Sequence, residues 1–219
     1  MKADFWHERW GSGRTGFHQS QTNRYLVQYW DRLGVRPESR VFVPLCGKSG
    51  DMLWLRDQGH EVIGAELSPI AVHDFFDQNG LTPSRSKAGD FERWDSTGIS
   101  IFCGDVFALT PGHLDGVGAV YDRAALVALP PEMRRSYADH LRAVLPSGAK
   151  SLLVTIDYPQ HQQGGPPFSV PDEEVHALFD NGFVVEQLAS DDVKGSGERI
   201  GDPVDYLNET VYVLTKAGT

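Results

Sequence analysis

The chain has 219 residues, 40% of them hydrophobic, which is enough to bury the core of one domain. Its formal net charge of -10 argues against a nucleic acid as substrate, because phosphate binding requires clustered Lys and Arg. Its two cysteines exclude a disulfide framework, and the sequence shows neither a signal peptide nor a transmembrane segment, so we expect a cytoplasmic protein without membrane or nucleic-acid partners.

A βαβ unit is the first clear pattern along the chain. The apolar run 41–43 predicts a buried parallel strand, the glycine-containing turn 44–50 follows it, and residues 51–58 predict an amphipathic helix. Residues 62–65 predict the next strand. In a doubly wound sheet the carboxyl ends of parallel strands face one crevice, so the turn should meet Glu66 there.

Glu66 points to a nucleoside ligand. It lies about 20 residues beyond the glycine turn, a spacing at which a carboxylate can accept hydrogen bonds from ribose hydroxyls. The turn lacks the GxGxxG fingerprint of a dinucleotide site, and Phe42 stands where a phosphate loop requires its first glycine. S-adenosylmethionine carries a ribose but no phosphate and therefore suits this turn. Asp105, which follows the third strand, would then lie near the adenine.

Strand and helix patterns alternate over the rest of the chain. Ser68 can cap a helix that ends at Asn79-Gly80. Further strands are predicted at 99–103, 118–121, 152–156, 183–188 and 210–215, and further helices at 131–145 and 172–180. Such alternation predicts a mostly parallel sheet with helices on both faces. The last two strands have no helix between them, which favours an antiparallel edge.

Sequence blocks along nearly the whole chain resemble the thiopurine S-methyltransferase family. They are FWHERW at 5–10, GFH at 16–18, VPLCGK at 43–48, DRAALVAL at 122–129 and GPPFSVP at 165–171. They occur in the family's order, and the short amino terminus is similar to the bacterial branch. The resemblance implies an α/β, Rossmann-like methyltransferase fold with a seven-stranded, mostly parallel sheet.

The same resemblance implies a function and a domain plan. The function is transfer of the methyl group of S-adenosylmethionine to small aromatic or heterocyclic thiols such as thiopurines, with selenium or tellurium species as further acceptors. The plan is a single domain over 1–219, with an amino-terminal lid segment at 1–30 and the core at 40–219. We expect it to act as a monomer on a small-molecule thiol.

Site residues follow from the resemblance by position. Arg123 would position either the thiolate or the cofactor, and no other catalytic residue is implied. Because the family is not uniformly acidic at Asp105, we expect a backbone contact to adenine there. Phe17 would contact the substrate. The implied cofactor contacts are Trp6, Trp10, Leu45, Glu66, Asp105, Val106 and Arg123.

Some of these residues also have a purely structural interpretation. Trp6 and Trp10 share one helix face and could either pack on the core or cover the cofactor as a lid. Arg123 could instead be an ion-pair partner of Asp122. Cys46 is expected to be a buried filler rather than a nucleophile.

Two other functions stay open at the level of the sequence. One is an NAD-dependent Rossmann oxidoreductase, which the missing glycine fingerprint disfavours. The other is a non-catalytic nucleoside-binding protein that retains the fold. If the chain is a methyltransferase, His18 or Asp122 could serve as a general base, although heterocyclic thiols ionise readily and do not require one.

Overall fold

A nine-stranded sheet forms the centre of the computed structural model, which describes residues 3–13, 19, 21–195 and 204–218. The strands are β1 (Arg40–Pro44), β2 (Glu61–Glu66), β3 (Ser84–Ala88), β4 (Phe91–Ser96), β5 (Ile99–Cys103), β6 (Val117–Asp122), β7 (Lys150–Asp157), β8 (Phe183–Asp192) and β9 (Asn208–Lys216). The α-helices are α1 (Ala3–Gly11), α2 (Arg24–Tyr29), α3 (Asp51–Asp57), α4 (Pro69–Gln78), α5 (Ala125–Ala128), α6 (Pro131–Val144) and α7 (Asp172–Phe179). None of the helices in these ranges has the length and apolar character that crossing a membrane requires.

The strand order places the candidate crevice beside β1. Across the sheet the strands run β3-β4-β5-β2-β1-β6-β7-β9-β8. The central five strands pair in parallel, and β9 returns antiparallel to β7 with β8 outside it. Because the chain order reverses at β1, which lies between β2 and β6, its carboxyl end is the switch point where such sheets bind ligands. The parallel core and the antiparallel edge predicted from the sequence are confirmed.

The expected number of seven strands is wrong, because a hairpin of β3 and β4 extends the other edge of the sheet. All but one of the β3 side chains are exposed, so this strand carries no apolar alternation to reveal it. In β4 only Phe91 and Trp94 are buried. The signal available was the two-residue turn Gly89-Asp90, whose glycine has φ 62°.

Helices cover both faces of the sheet, as predicted. On one face, α2, α3 and α4 bury Tyr25, Leu26, Met52, Leu55, Val72 and Phe75 against β1, β2 and β5. On the other face, α6 and α7 bury Tyr137, Leu141, Val175 and Phe179. The two apolar layers fix the sheet rigidly and leave the carboxyl ends of its parallel strands for function.

Candidate functional site

A cleft lies at the carboxyl ends of β1 and β6. Its walls are the turn 43–49, Asp51 at the start of α3, the end of β6 with Tyr121, Arg123 and Ala124, and Trp10 of α1. It encloses about 460 Å³ of space, part of which is open solvent. The turn, Trp10 and Arg123, which the sequence placed in one site, do meet in this cleft.

The turn after β1 has two residues in the left-handed region. Gly47 has φ 53°, and Leu45 has φ 45°, the one non-glycine residue with positive φ in the described part of the chain. A left-handed conformation costs a non-glycine residue about 1–2 kcal/mol. The Cys46 amide donates to the Ala65 carbonyl at 3.0 Å, so β2 holds the turn in this shape. Backbone strain of this kind concentrates at ligand sites.

Trp10 packs on the turn through Gly47. A Cβ at residue 47 would lie 3.2 Å from Cζ2 of Trp10, so the glycine lets the indole pack closely on the turn. Trp10 is only 6% exposed and forms a wall of the cleft. Trp6 is half-buried, contacts the Phe5 ring edge-on at 5.3 Å between centroids, and is not part of that wall. The structure therefore separates the two tryptophans that the sequence grouped together.

Glu66 is buried behind the turn and joins three segments. Its Oε2 accepts from the Gly47 amide at 2.9 Å and its Oε1 accepts from the Ser68 amide at 2.8 Å. Its own carbonyl accepts from the Gly104 amide at 2.8 Å, just beyond β5. Burial raises the pKa of Glu66, while the amides oppose that change. The Leu67 amide also bonds to the carboxylate, which has about four acceptor sites and so keeps capacity for a ligand hydroxyl.

Asp105 and Val106 follow β5 on the far side of Glu66, outside the wall of the cleft. The Asp105 carboxylate accepts from the Phe107 amide at 3.0 Å and caps a short 3-10 helix, Val106–Ala108. Val106 is buried in the apolar layer. Since the Asp105 side chain is committed to a cap, this geometry is compatible with the expected backbone contact.

Arg123 pairs with Asp51, and not with Asp122 as the structural alternative had it. One guanidinium nitrogen of Arg123 lies 3.6 Å from Oδ2 of Asp51. The same oxygen accepts from the Tyr121 hydroxyl at 3.0 Å, and Oδ1 accepts from the Asn23 amide at 2.8 Å. Burial and the Asp51 charge raise the pKa of Tyr121 well above its ordinary value, so the hydroxyl keeps its proton and donates.

Asp122 faces the opposite side of β6. Its Oδ1 accepts from the Ala125 and Leu126 amides at 3.0 and 3.2 Å, and its Oδ2 accepts from the Tyr137 hydroxyl at 2.7 Å. Burial raises its pKa to about 6. These bonds hold α5 and α6 against the strand, and the residue does not line the cleft. Its position does not suit a general base acting there.

Cys46 fills a space under the turn. A Cβ at residue 64 would lie 2.7 Å from the Cys46 Sγ, so the sulfur occupies the room that Gly64 leaves in β2. Burial, followed by the Glu66 charge, raises the pKa of the Cys46 thiol well above its ordinary value. A buried, protonated thiol is a poor nucleophile, which fits the structural interpretation.

The proline-rich segment 165–171 lies beside the helix that follows Arg123. The Phe168 amide donates to the Val127 carbonyl at 2.7 Å, and the Tyr158 hydroxyl donates to the Pro167 carbonyl at 2.7 Å. The segment is therefore hydrogen-bonded to α5 and to the residue that follows β7. Phe17 and His18 lie outside the described residues.

Comparison with known proteins gives one consistent result. The family model described as thiopurine S-methyltransferase matches residues 1–217. The chain is 49% identical over 217 residues to a "Thiopurine S-methyltransferase" of Pseudomonas paraeruginosa, covering 99% of this chain and 100% of the relative. It is 48% identical over 215 residues to the protein of that name from Nitrosospira multiformis, covering 98% of each.

Solved structures are similar in fold at low sequence identity. A Burkholderia thailandensis 1,6-didemethyltoxoflavin-N1-methyltransferase with bound S-adenosylhomocysteine superimposes with a TM-score of 0.65 at 14% identity, over 99% of this chain and 87% of that one. An Anabaena variabilis SAM-dependent methyltransferase gives 0.65 at 17% identity, over 98% and 94%. At these identities the likeness supports the fold alone.

Proposed function

The chain belongs to the thiopurine S-methyltransferase family, and from that membership we propose that it transfers the methyl group of S-adenosylmethionine to the sulfur of a small aromatic or heterocyclic thiol. The observation that carries the proposal is the buried Glu66 carboxylate, bonded to the Gly47 amide of a turn that has no phosphate-binding motif. A ribose without a neighbouring phosphate suits that arrangement.

The chemistry of the surrounding residues fits this cofactor. We propose that Glu66 accepts from the ribose hydroxyls and that the backbone at Asp105 and Val106 lies against the adenine. Leu45 and Trp10 would cover the remaining length of the ligand and exclude water. When bound, S-adenosylmethionine supplies an electrophilic methyl group on a sulfonium, and the face of an aromatic ring such as Trp10 is attractive to that charge.

Positioning is the main task left to the chain. A thiolate sulfur must approach the methyl group in line with the leaving sulfur, in a site shielded from water. We propose that Arg123 faces the reacting end of the cleft, where its guanidinium favours an anionic sulfur or holds the cofactor carboxylate. In this proposal the segment 165–171, which is hydrogen-bonded to α5, would border the acceptor side, and Phe17 with the lid segment 1–30 would complete it.

The proposal is tested with labelled S-adenosylmethionine and a panel of acceptors. We expect transfer to thiopurines and aryl thiols. The panel also includes selenite and tellurite, which tests whether selenium and tellurium species are methylated. Arg123→Ala should lower transfer, while Arg40→Ala, an exposed arginine at the opposite end of the sheet, should not. Binding of S-adenosylhomocysteine with no transfer to any acceptor would favour the non-catalytic alternative instead.

The oxidoreductase alternative is tested with the same preparation. A ligand that binds only the folded state raises the melting temperature. We expect S-adenosylhomocysteine to raise it and NAD to leave it unchanged, because the turn lacks the glycines that approach a pyrophosphate.

A further inference from the structure

Asp51 is the most enclosed charged residue of the cleft. Its side chain is 2% exposed, against 14% for the side chain of Arg123. A carboxylate so buried requires partners, because an unpaired buried charge is strongly destabilising. Its partners come from three separate parts of the chain, namely the Asn23 amide, the Tyr121 hydroxyl and the Arg123 guanidinium.

The carboxylate constrains the arginine on one side. Asp51 begins α3 and cannot move independently of that helix, while Tyr121 lies within β6. The Asp51 carboxylate is thus the acceptor for the Arg123 guanidinium, and Tyr121 lies beside it on the strand. The other N–H donors of the guanidinium can face the cleft. A guanidinium held in this way loses less rotamer freedom when it binds an anion.

The carboxylate also fixes the chain just before α2. Oδ1 of Asp51 accepts a hydrogen bond from the backbone amide of Asn23. The Asn23 side chain in turn caps α2 by accepting from the Tyr25 backbone amide at 2.9 Å. The backbone at Asn23 is thereby joined to the same carboxylate that pairs with Arg123. One side chain thus joins Arg123, a residue of the cleft wall, to the backbone that begins α2.

We propose that Asp51 is a positioning residue, whose carboxylate fixes the orientation of the Arg123 guanidinium in the cleft and anchors the backbone at Asn23 to the same point. The assignment rests on the proposed function, since it gives Asp51 a role in the site through Arg123. In this assignment Asp51 acts through Arg123 and not by direct contact with the methyl group or the acceptor sulfur.

A double-mutant cycle tests the assignment. Asp51→Asn, Arg123→Gln and the double variant are compared by thiol kcat/KM and by calorimetric Kd for S-adenosylhomocysteine. If Asp51 acts through Arg123, Asp51→Asn should lower kcat/KM or raise Kd about tenfold to a hundredfold in the presence of Arg123. In the Arg123→Gln background the same change should cost less than about threefold. Asp57→Asn, at the exposed other end of α3, is the matched control and should change neither quantity.

The outcomes are distinct. A loss of equal size in both backgrounds would overturn the positioning role, and so would an Asp51→Asn variant equal to wild type. If Asp51→Asn does not fold, Asp51→Glu replaces it, because it keeps the charge and displaces the carboxylate from Tyr121 and Arg123 by one methylene. If wild type methylates no thiol, the proposed function fails, and the Kd cycle alone still decides whether Asp51 and Arg123 are coupled.

Discussion

Oε2 of Glu66 lies 2.9 Å from the Gly47 amide nitrogen, so the last residue of β2 holds the turn that follows β1. Two neighbouring strands are thus connected at their carboxyl ends by a side chain as well as by their ladder. Removal of the carboxylate is expected to affect both the ligand and the shape of the turn.

Glu66→Gln should weaken the binding of S-adenosylhomocysteine. Hydrogen bonds to a charged group contribute about 1.5–3 kcal/mol, which corresponds to roughly tenfold to a hundredfold in Kd. Calorimetric titration measures the change. Glu61→Gln, at the exposed start of the same strand, is the matched control and should bind as wild type does. An unchanged affinity for the Glu66 variant would remove this residue from the site.

Gly47→Ala should impair both stability and ligand binding. The added Cβ meets Trp10 at 3.2 Å, and φ 53° is unfavourable for alanine by about 1–2 kcal/mol. Gly80→Ala is the comparison, because Gly80 has φ 63° and a Cβ added there would meet no atom within 4 Å. Urea denaturation should show a similar loss in the free energy of unfolding from the left-handed backbone in both variants. Only Gly47→Ala should lose affinity, and equal affinities would show that Trp10 does not need its contact with the turn.

Leu45→Gly should be more stable than Leu45→Ala. At ordinary helix or strand positions glycine is the less stable of the two, but φ 45° reverses the order because glycine adopts this region freely. We expect a difference of about 1 kcal/mol in the free energy of unfolding. Equal or inverted stabilities in urea melts would mean that the turn relaxes when the leucine side chain is removed.

Asp122 should make stability depend on pH on the acid side of neutrality. Its pKa is raised from 3.8 to about 6 in the folded state, so between these values the folded protein binds more protons than the unfolded chain. The contribution of this group to the free energy of unfolding is therefore largest below pH 3.8. That contribution is lost as pH rises through about 6. The total change is on the order of 3 kcal/mol.

The measurement is a set of urea melts between pH 4 and 7.5 on wild type and Asp122→Asn. The variant lacks the titrating group, so the wild-type free energy should fall relative to the variant over this range. Parallel curves would contradict the raised pKa. A carboxyl carbon titration by NMR, with its midpoint near 6, gives an independent reading.

Cys103 should react slowly with iodoacetamide at neutral pH. Burial, followed by the charges of Glu66 and Glu92, raises its pKa to about 11. The thiolate fraction at pH 8 is then about one in a thousand, and the rate should rise roughly tenfold for each pH unit up to pH 10. Mass spectrometry of labelling in wild type and Cys103→Ser isolates this thiol. A plateau near pH 8.5 would indicate an ordinary cysteine.

The βαβ unit from β1 to β2 could be predicted from the sequence because its apolar runs and glycine turn are local signals. Glu66 follows from the same signals, since a residue that ends a parallel strand has a fixed place at the sheet edge. The hairpin of β3 and β4 was missed because its exposed strand has no apolar side to produce a pattern. The hairpin joins the sheet because β4 pairs with β5, a contact that the composition of the two hairpin strands does not reveal.

The partner of Arg123 shows a second limit of sequence reasoning. Asp122 is adjacent in the chain, yet alternation along a strand sends adjacent side chains to opposite faces. Tyr121 and Arg123 share the cleft face, whereas Asp122 bonds to Tyr137 on the other. The strand predicted from the sequence ends at residue 121, so this alternation did not reach Asp122 and Arg123. That Asp51 is the partner of Arg123 could not have been predicted from the sequence, because it depends on the direction in which α3 begins after the turn.

Gly64 and Cys46 have a consequence for how the chain can change over time. The Cys46 sulfur lies where a side chain at residue 64 would be, so the two positions share one volume. An alanine at 64 would displace the Cys46 sulfur first, because the next atoms, Cγ1 of Ile101 and Sδ of Met52, lie farther away at 3.2 and 3.4 Å. We therefore expect these two positions to co-vary among relatives, with the combined size of their side chains conserved more strictly than either residue alone.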